Sequence, residues 1–220
     1  MKQTTIEGLT CQLFRASSQV ICYIISPFEL NDQWLEAEAM SLKTNFAVIS
    51  GMEWDDDLTP WPAPGQPPGS PAFKGLAPEF LSKLTEEVVP QIDSLLGVTS
   101  PSRRILIGTS LSGLFTLWAW LHTDMFHDIA SISGSFWYEG FVAWLRTTDI
   151  PHRDGLAYFS LGNREQFSKV KAFQPVATDT AAVIALLRKA GIRAVFQSVP
   201  GTHFAPFYPR LKSALEHLFP

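Results

Sequence analysis

The stretch that decides the fold of this chain is Ile105-Leu106-Ile107-Gly108-Thr109-Ser110-Leu111-Ser112-Gly113-Leu114. Its first three residues predict a buried strand, and the apolar run from residue 112 onward predicts a helix. The turn between them nearly matches the pattern G-x-S-x-G, with Ser112 in place of the last glycine. Small residues on either side of the central serine let strand and helix approach closely. The stretch therefore predicts a strand-turn-helix unit with Ser110 at its tip.

A serine at such a turn is placed for nucleophilic attack. The backbone N–H of Leu111 would point toward a developing oxyanion, assisted by the dipole of the helix that it begins. A serine hydroxyl is nevertheless a poor nucleophile unless a neighbouring base takes its proton. A purely structural turn with chance serines is the alternative, whereas a phosphate-binding loop is excluded because no lysine follows the glycine.

Strands and helices alternate through the rest of the C-terminal part. The sequence predicts helices over 77–96 (bent or broken at Pro90), 112–122, 139–146, 176–190 (closed by Gly191) and 208–218. It predicts strands over 104–107, 129–133, 156–161 and 193–199. Such alternation is typical of a mainly parallel twisted sheet with helices on both faces. Ligands of these sheets bind beyond the carboxyl ends of the strands.

The N-terminal part is predicted to begin with an antiparallel strand pair. Residues 4–14 and 19–28 are predicted strands, and the polar residues 15–18 between them suit an antiparallel turn. A helix over 32–42, capped by the polar residues at its start, and a strand over 45–50 follow. Together with the alternation downstream, this predicts a single α/β domain over residues 1–220.

Residues 55–72 interrupt the alternation. Three consecutive acids are followed by a run of prolines from Pro60 to Pro71. Because proline lacks the N–H that helix interiors and sheets require, no regular element is expected here. A long irregular loop within a compact domain is often part of a binding site. A disordered linker is the alternative, but the residues before it are too few to form a domain easily.

Two residues that could activate Ser110 follow later predicted strands. Glu165 comes directly after the strand over 156–161, and His203 leaves the last strand through a Pro-Gly turn. Serine, acid and histidine are thus in the chain order of an α/β-hydrolase triad. A solvated carboxylate is the alternative for Glu165, with Asp179 and Asp154 as reserve acids. The remaining histidines are expected at the surface or at helix ends, namely His122, His127, His152 and His217.

With these residues in place, the chain resembles the putative esterase family of α/β hydrolases, which includes esterase D-like proteins and enterobactin-type siderophore esterases. The similarity extends from about Glu53 onward. It rests on short motifs in a specific order: Leu58-Thr59-Pro60, residues 73–81, residues 86–92, Gly108 to Leu114, Ser133-Gly134-Ser135-Phe136-Trp137, Gly162-Asn163-Arg164-Glu165 and Pro200-Gly201-Thr202-His203.

The resemblance implies the α/β-hydrolase fold and an esterase in which Ser110 is the nucleophile, His203 the general base and Glu165 the acid. It places the oxyanion hole at the N–H of Leu111 and at a second N–H from the loop after Ile25. Because Pro27 in that loop has no N–H, Phe28 is the expected second donor.

The substrate is expected to be an uncharged small-molecule ester. The siderophore branch looks to carry an arginine a few residues before its Asp-x-Thr-Pro element, which suits anionic catecholates. Here Asp55, Asp56 and Asp57 stand near that position and would repel anions. Aromatic residues predicted to bind an apolar acyl or alcohol group are Trp54, Trp61, Trp137 and Phe204, together with Phe136 and Tyr138. Trp118 and Trp120, on the helix after Ser110, are expected in the core.

Composition excludes several classes of protein. The formal net charge is −4 and no basic face stands out, so nucleic-acid binding is not expected. No run of about 18 apolar residues could span a membrane, and the polar N-terminus lacks a secretory signal, which predicts a cytoplasmic protein. Cys11 and Cys22 are the only cysteines and are expected to be buried thiols rather than a disulfide or metal ligands. No metal or organic cofactor is expected.

The sequence therefore predicts a serine hydrolase that cleaves carboxylic esters through an acyl-Ser110 intermediate. Two alternatives stay open at this stage. One is acyl transfer or thioester hydrolysis at the same site. The other is a binding protein without catalysis on a hydrolase scaffold, since a fold alone does not fix a function.

Overall fold

The computed structural model describes residues 1–220 and contains one eight-stranded sheet. Its strands are β1 (Lys2–Ile6), β2 (Leu9–Phe14), β3 (Val20–Ile25), β4 (Asn45–Ser50), β5 (Arg103–Thr109), β6 (Asp128–Ile132), β7 (Leu156–Gly162) and β8 (Arg193–Val199). The strand order is β1-β2-β4-β3-β5-β6-β7-β8. All neighbouring pairs from β4 to β8 are parallel, while β2 runs antiparallel to both β1 and β4. The predicted mainly parallel sheet with an antiparallel N-terminal pair is confirmed.

Helices cover both faces of this sheet. They are α1 (Asp32–Leu42), α2 (Trp54–Asp57), α3 (Ala77–Lys83), α4 (Val89–Leu96), α5 (Leu111–His122), α6 (Phe141–Thr147), α7 (Val176–Lys189) and α8 (Phe207–Leu218). Apolar residues of α1 and α8 form one core with one face of the strands, and α3 to α7 form the larger core on the other face. None of the helices has both the length and the apolar character needed to cross a bilayer. That residues 1–220 form one domain stays a prediction.

The N-terminal hairpin differs from the one that the sequence predicts. The antiparallel turn lies at Glu7-Gly8, between β1 and β2, where both residues have positive φ (50° and 78°). Positive φ at both central residues is the geometry of a tight hairpin turn. Residues 15–18 instead lead from β2 to β3, which is separated from β2 by β4. The prediction of an antiparallel pair across residues 15–18 is therefore wrong. Since β3 is apolar along its whole length and buried on both faces, it takes a central position in the parallel part of the sheet.

The buried thiols of Cys11 and Cys22 cannot form a disulfide in this arrangement. Cys11 lies on β2 and Cys22 on β3, with β4 between them. Their side chains belong to the cores on opposite faces of the sheet. Both are free, as predicted.

The helix predicted over 77–96 forms, and it is distorted close to Pro90. Between α3 and α4 the chain makes a π-helical turn over Leu84–Val88 without leaving the helical path. Proline in a helix lacks an N–H and its ring clashes with the carbonyl four residues earlier. Widening the turn that leads into Pro90 relieves that clash.

The loop over 55–72 is mostly irregular, but its first residues belong to the helical turn α2, which the sequence analysis did not predict. The loop is fixed to the rest of the protein through Trp61. The indole N–H of Trp61 donates to the Glu139 carbonyl at 2.9 Å, and the Tyr138 hydroxyl donates to the Trp61 carbonyl. Leu58 and Thr59 are fully buried. The loop is therefore packed against the larger core.

Candidate active site

Ser110 lies at the sharp turn between β5 and α5, in a backbone conformation that L-residues rarely adopt. Its φ is 58° and its ψ is −123°. Such a conformation costs about 1–3 kcal/mol and is found mainly at functional sites. The turn requires a glycine at position 108, because a Cβ there would lie 2.1 Å from the Ser112 carbonyl oxygen. The N–H of Ser110 donates to the Ile132 carbonyl at 3.1 Å, which holds the tip of the turn above the end of β6.

Ser112 occupies the position where the G-x-S-x-G pattern has a glycine, and its hydroxyl fastens the turn. The Ser112 Oγ accepts the N–H of Thr109 at 2.7 Å and lies 2.9 Å from the Ile25 carbonyl, to which it can donate. Ser112 is completely buried. Its hydroxyl thereby connects the turn that carries Ser110 to the end of β3, where the predicted oxyanion loop begins.

We expect Ser112→Ala to lower the free energy of unfolding by about 1–3 kcal/mol, because the substitution leaves the partly buried Thr109 N–H without its acceptor. Chemical denaturation monitored by circular dichroism measures this change. The matched control is Ser17→Ala, which removes an exposed hydroxyl and should change stability by less than about 0.5 kcal/mol. Equal stabilities of the two variants would contradict the fastening role of the Ser112 hydroxyl.

Ser110, His203 and Glu165 converge at the carboxyl edge of the sheet. The Nε2 of His203 lies 3.0 Å from the Ser110 Oγ. The Nδ1 of the same ring lies 2.9 Å from the Glu165 Oε2. His203 comes from the loop between β8 and α8, and Glu165 from a short 3-10 turn (Glu165–Phe167) after β7. Residues from three distant segments thus form one continuous chain of hydrogen bonds.

The Glu165 carboxylate is buried and fully bonded. Its side chain is 2% exposed. Its Oε1 accepts the Ser133 hydroxyl at 2.7 Å, the Gly162 N–H at 2.7 Å and the Arg210 guanidinium at 3.1 Å. Burial alone would raise the pKa of Glu165, but the hydrogen bonds from His203 and Ser133 help to hold that pKa below its ordinary value. Glu165 is therefore an ionised carboxylate rather than the solvated loop residue of the alternative interpretation.

The two predicted oxyanion donors lie at the same end of the sheet. Leu111 is the first residue of α5, so its N–H has no partner within the helix. Phe28 is exposed and lines the cleft beside Ser110. Its N–H points at the Ser26 hydroxyl over a long distance of 3.4 Å. The roles of Leu111 and Phe28 stay predictions.

A cleft opens on both sides of Ser110, in two arms that share Ser110, His203 and Phe204. The first arm, a cavity of about 330 Å³, is on the side of β3 and contains Trp54, Phe28 and Phe207. The second arm, about 310 Å³, is on the side of β6 and β7 and is lined by Ser135, Trp137, Val170, Phe173 and Val176. Because β5 lies between β3 and β6 in the sheet, the arms extend in opposite directions from Ser110.

Of the aromatic residues predicted to bind substrate, Trp54, Trp137 and Phe204 line the cleft. Trp61 does not. Its ring packs against Tyr138, Phe141 and Trp144, so the structure gives it a place in the packing of the loop instead. Phe136 and Tyr138 are buried in the core, as are Trp118 and Trp120.

The remaining candidates lie elsewhere. The reserve acid Asp154 is exposed and pairs with His152, and Asp179 lies on α7. The ring of His122 stacks between Trp118 and Trp144. No group of three or more His, Cys, Asp or Glu side chains could hold a metal ion.

Three residues of the site were given no role in the sequence analysis. Ser133 and Arg210 contact Glu165, and the Ser135 Oγ lies 3.4 Å from the Ser110 Oγ. Ser133 and Ser135 follow β6 at the same edge of the sheet, a position that could have marked them. Arg210 lies within α8, and no local pattern indicates its role.

Comparison with known proteins supports the family resemblance. The sequence model of the family described as "Putative esterase" matches residues 30–218. The "Uncharacterized protein YbbA" of Bacillus subtilis (strain 168) is 32% identical over 145 residues, which are 64% of this chain and 58% of that protein. The chain thus matches less than two thirds of the length of this relative.

Solved structures share the fold at low sequence identity. "Siderophore hydrolase EstB from Aspergillus nidulans" superposes with a TM-score of 0.75 at 18% identity, covering 99% of this chain and 94% of that one. "Enterobactin and Salmochelin Hydrolase IroE" superposes with a TM-score of 0.69 at 18% identity, covering 96% and 88%. These similarities confirm the predicted α/β-hydrolase fold.

Proposed function

We propose that this chain, which belongs to the putative esterase family, is a carboxylic ester hydrolase that acts through an acyl-enzyme formed on Ser110. In this proposal His203 is the general base and Glu165 the acid of a catalytic triad. The observation that carries it is the chain of contacts from Ser110 Oγ to His203 Nε2, at 3.0 Å, and from His203 Nδ1 to Glu165, at 2.9 Å.

In the acylation step, the Ser110 Oγ attacks the carbonyl carbon of the ester while His203 Nε2 takes the hydroxyl proton. The carbonyl oxygen becomes an oxyanion, and we assign its stabilisation to the N–H groups of Leu111 and Phe28. When the carbon–oxygen bond to the alcohol breaks, the imidazolium gives its proton to the leaving oxygen. The products of this step are free alcohol and acyl-Ser110.

Deacylation repeats these steps with water as the nucleophile. His203 takes a proton from water, the hydroxide attacks the acyl carbon, and the proton passes to the Ser110 Oγ as its bond to the acyl group breaks. Throughout both steps Glu165 keeps its negative charge beside Nδ1. That charge orients the ring and stabilises the imidazolium form.

A fluorophosphonate probe tests whether Ser110 is activated, since an unactivated serine hydroxyl reacts slowly. Under the proposal, the probe abolishes ester hydrolysis and mass spectrometry finds the adduct on the peptide that contains Ser110. An enzyme that hydrolyses esters while its Ser110 peptide stays unlabelled would refute the acyl-enzyme. Two further assays address the alternatives. Hydrolysis of the corresponding thioester measures thioesterase activity, and product analysis in the presence of an added alcohol measures acyl transfer.

We further propose that the substrate is an uncharged ester with an apolar group. Among the residues that line the two arms of the cleft, the only charged side chains are Arg210 and Glu165, and these two form an ion pair. An anionic group entering the cleft would lose hydration without gaining a free cation. EstB is named a siderophore hydrolase and IroE an enterobactin and salmochelin hydrolase, whereas the residues that line this cleft support a neutral ligand.

For this reason we expect the enzyme to prefer a nitrophenyl hexanoate over the nitrophenyl monoester of succinate, and over the acetate. Trp137→Ala should lower kcat/KM for the hexanoate by about tenfold, because it removes apolar surface from the second arm. The acetate, which is too short to reach that surface, should be affected much less. Initial rates with the three esters measure the difference.

The matched control for this experiment is Trp144→Ala, which removes a half-buried indole that packs against His122 and Trp61, away from the cleft. Its preference among the three esters should equal that of the wild type. A Trp137→Ala enzyme with the wild-type preference, or a wild type that favours the succinate, would refute the substrate proposal.

A further inference from the structure

Arg210 is a buried cation whose contacts join the two loops that carry Glu165 and His203. It is the fourth residue of α8 and is 5% exposed. Its Nη1 donates to the Glu165 Oε1 at 3.1 Å and to the Ser133 Oγ at 2.5 Å. Its Nη2 donates to the carbonyl of Thr202, the residue before His203, at 2.6 Å. One guanidinium group therefore fixes both the carboxylate and the backbone next to the histidine.

The surrounding backbone is shaped to admit this contact. A Cβ at Gly162 would lie 2.8 Å from the Arg210 Nη2 and 2.8 Å from the Glu165 Oε1. Only glycine at this position leaves room for the guanidinium and the carboxylate to meet at the end of β7. The Arg210 Nε makes no hydrogen bond within the protein, so all polar contacts of the group are directed at the site.

Four groups from the rest of the protein contact the Glu165 carboxylate. The His203 ring lies within hydrogen-bonding distance of its Oε2, and the Arg210 guanidinium forms an ion pair with its Oε1. The other two donors, Ser133 and the Gly162 N–H, are neutral. From α7, the side chain that lines the cleft beside Glu165 is the apolar Val176. Arg210 is thus the one permanent positive charge in contact with the carboxylate.

We propose that Arg210 is a positioning residue of the triad, which keeps Glu165 ionised and holds the His203 loop so that the imidazole stays within reach of Ser110. This inference rests on the proposed function. Arg210 acts through Glu165 and Thr202 and does not exchange a proton with the substrate. The guanidinium suits this role because it stays charged throughout the pH range of the enzyme and its planar fork can donate to two acceptors at once.

Substitution can separate the two parts of this role, which are the positive charge of the side chain and the planar geometry that lets it donate to two acceptors. Arg210→Lys keeps the positive charge but loses the planar fork, so it should keep the ionisation of Glu165 and loosen the His203 loop. Arg210→Met removes both. Without the cation, the buried Glu165 binds a proton, or shares one with His203, at a higher pH.

The test is the pH profile of kcat/KM for a neutral nitrophenyl ester. For Arg210→Met we expect the loss of activity on the acidic side to move up by about one pH unit. We also expect kcat to fall about 10- to 100-fold with little change in KM. Arg210→Lys should lower kcat while its acidic limb stays where it is in the wild type. In a Glu165→Gln background, Arg210→Met should no longer shift the acidic side of the pH profile.

Arg104→Met is the matched control, since Arg104 also pairs with a carboxylate, that of Asp93, at the opposite end of β5 from Ser110. It should lower stability without moving the acidic limb. If the activity of the Arg210→Met enzyme falls by the same factor at every pH, Arg210 has only a structural role and the inference is overturned. If Arg210→Met does not fold, Arg210→Lys decides, and a wild-type kcat in that variant overturns it.

Failure of this inference is distinguishable from failure of the proposed function. A Ser110→Ala protein that still hydrolyses the ester rejects the proposed function. An inactive Ser110→Ala protein together with an unmoved acidic limb in Arg210→Met rejects the role of Arg210 alone.

Discussion

Ser110→Ala should lower kcat/KM for a neutral nitrophenyl ester by about 10⁴-fold or more while the protein stays folded. The substitution removes the atom that forms the proposed acyl-enzyme, and loss of a triad nucleophile costs a factor of this size in serine hydrolases. Only the oxyanion donors and the cleft are left to assist direct attack by water. The measurement is the initial rate at substrate concentrations well below KM, after removal of any contaminating esterase.

The strained backbone at Ser110 leads to a further prediction about the stability of variants at this position. Because φ is 58° there, glycine suits position 110 better than alanine or serine. Ser110→Gly should therefore be more stable than Ser110→Ala by about 1 kcal/mol or more, with both proteins inactive. Chemical denaturation compares the two. A Ser110→Ala protein with wild-type activity would show that Ser110 is not the nucleophile. Equal stabilities of the Ser110→Gly and Ser110→Ala proteins would show that the backbone at position 110 is not strained.

Glu165→Gln should lower kcat by about 10³- to 10⁴-fold, although the side chain keeps its shape. Three donors point at the Oε1 position of Glu165, so the amide oxygen of glutamine must take that position. The amide NH₂ then faces the Nδ1 of His203 and donates to it. The imidazole is left with its proton on Nε2 and cannot accept the proton of Ser110.

The same substitution leaves the buried Arg210 without a counter-charge, so stability should fall by about 3–5 kcal/mol. Glu165→Ala is the useful comparison, because it removes the acid without forcing the wrong tautomer. We expect the glutamine enzyme to be no faster than the alanine enzyme in steady-state assays at neutral pH. A Glu165→Gln enzyme within tenfold of the wild type would show that the carboxylate is not needed.

Local patterns predicted most elements of the fold because each element carries its own signal. A polar residue caps α1 as predicted, namely Asn31, whose side chain accepts the Trp34 N–H, and the strand over 45–50 is found with the predicted bounds. Gly191, with a φ of 84°, ends α7 as predicted. Pairing was less predictable. Residues 15–18 look like a hairpin turn. However, β3 pairs with β4 and β5 because both of its faces are buried, and that burial depends on the whole sheet rather than on the local sequence.

The site divides in the same way. Ser110, Glu165 and His203 each follow a recognisable strand, so their convergence could be predicted from the topology of a parallel sheet. Arg210 could not, because its contacts with Glu165 and Thr202 depend on how α8 packs rather than on any local pattern. The prediction that Trp61 lines the cleft was wrong for a related reason, because composition shows how many aromatic rings the chain has but not which of them face the cleft. Ser112 looked like a tolerated replacement of glycine, and only the structure shows the hydrogen bonds that its hydroxyl makes.

The order of the triad along the chain has a consequence during synthesis. Ser110 precedes His203 by 93 residues, and Arg210 follows still later. At about 5–20 residues per second, a ribosome needs roughly 5 to 20 seconds to cover that interval. Throughout that time the nascent polypeptide contains the reactive hydroxyl without its base. Under the proposed mechanism a half-made chain is therefore catalytically silent, and hydrolysis begins only after the last strand and helix have joined the sheet.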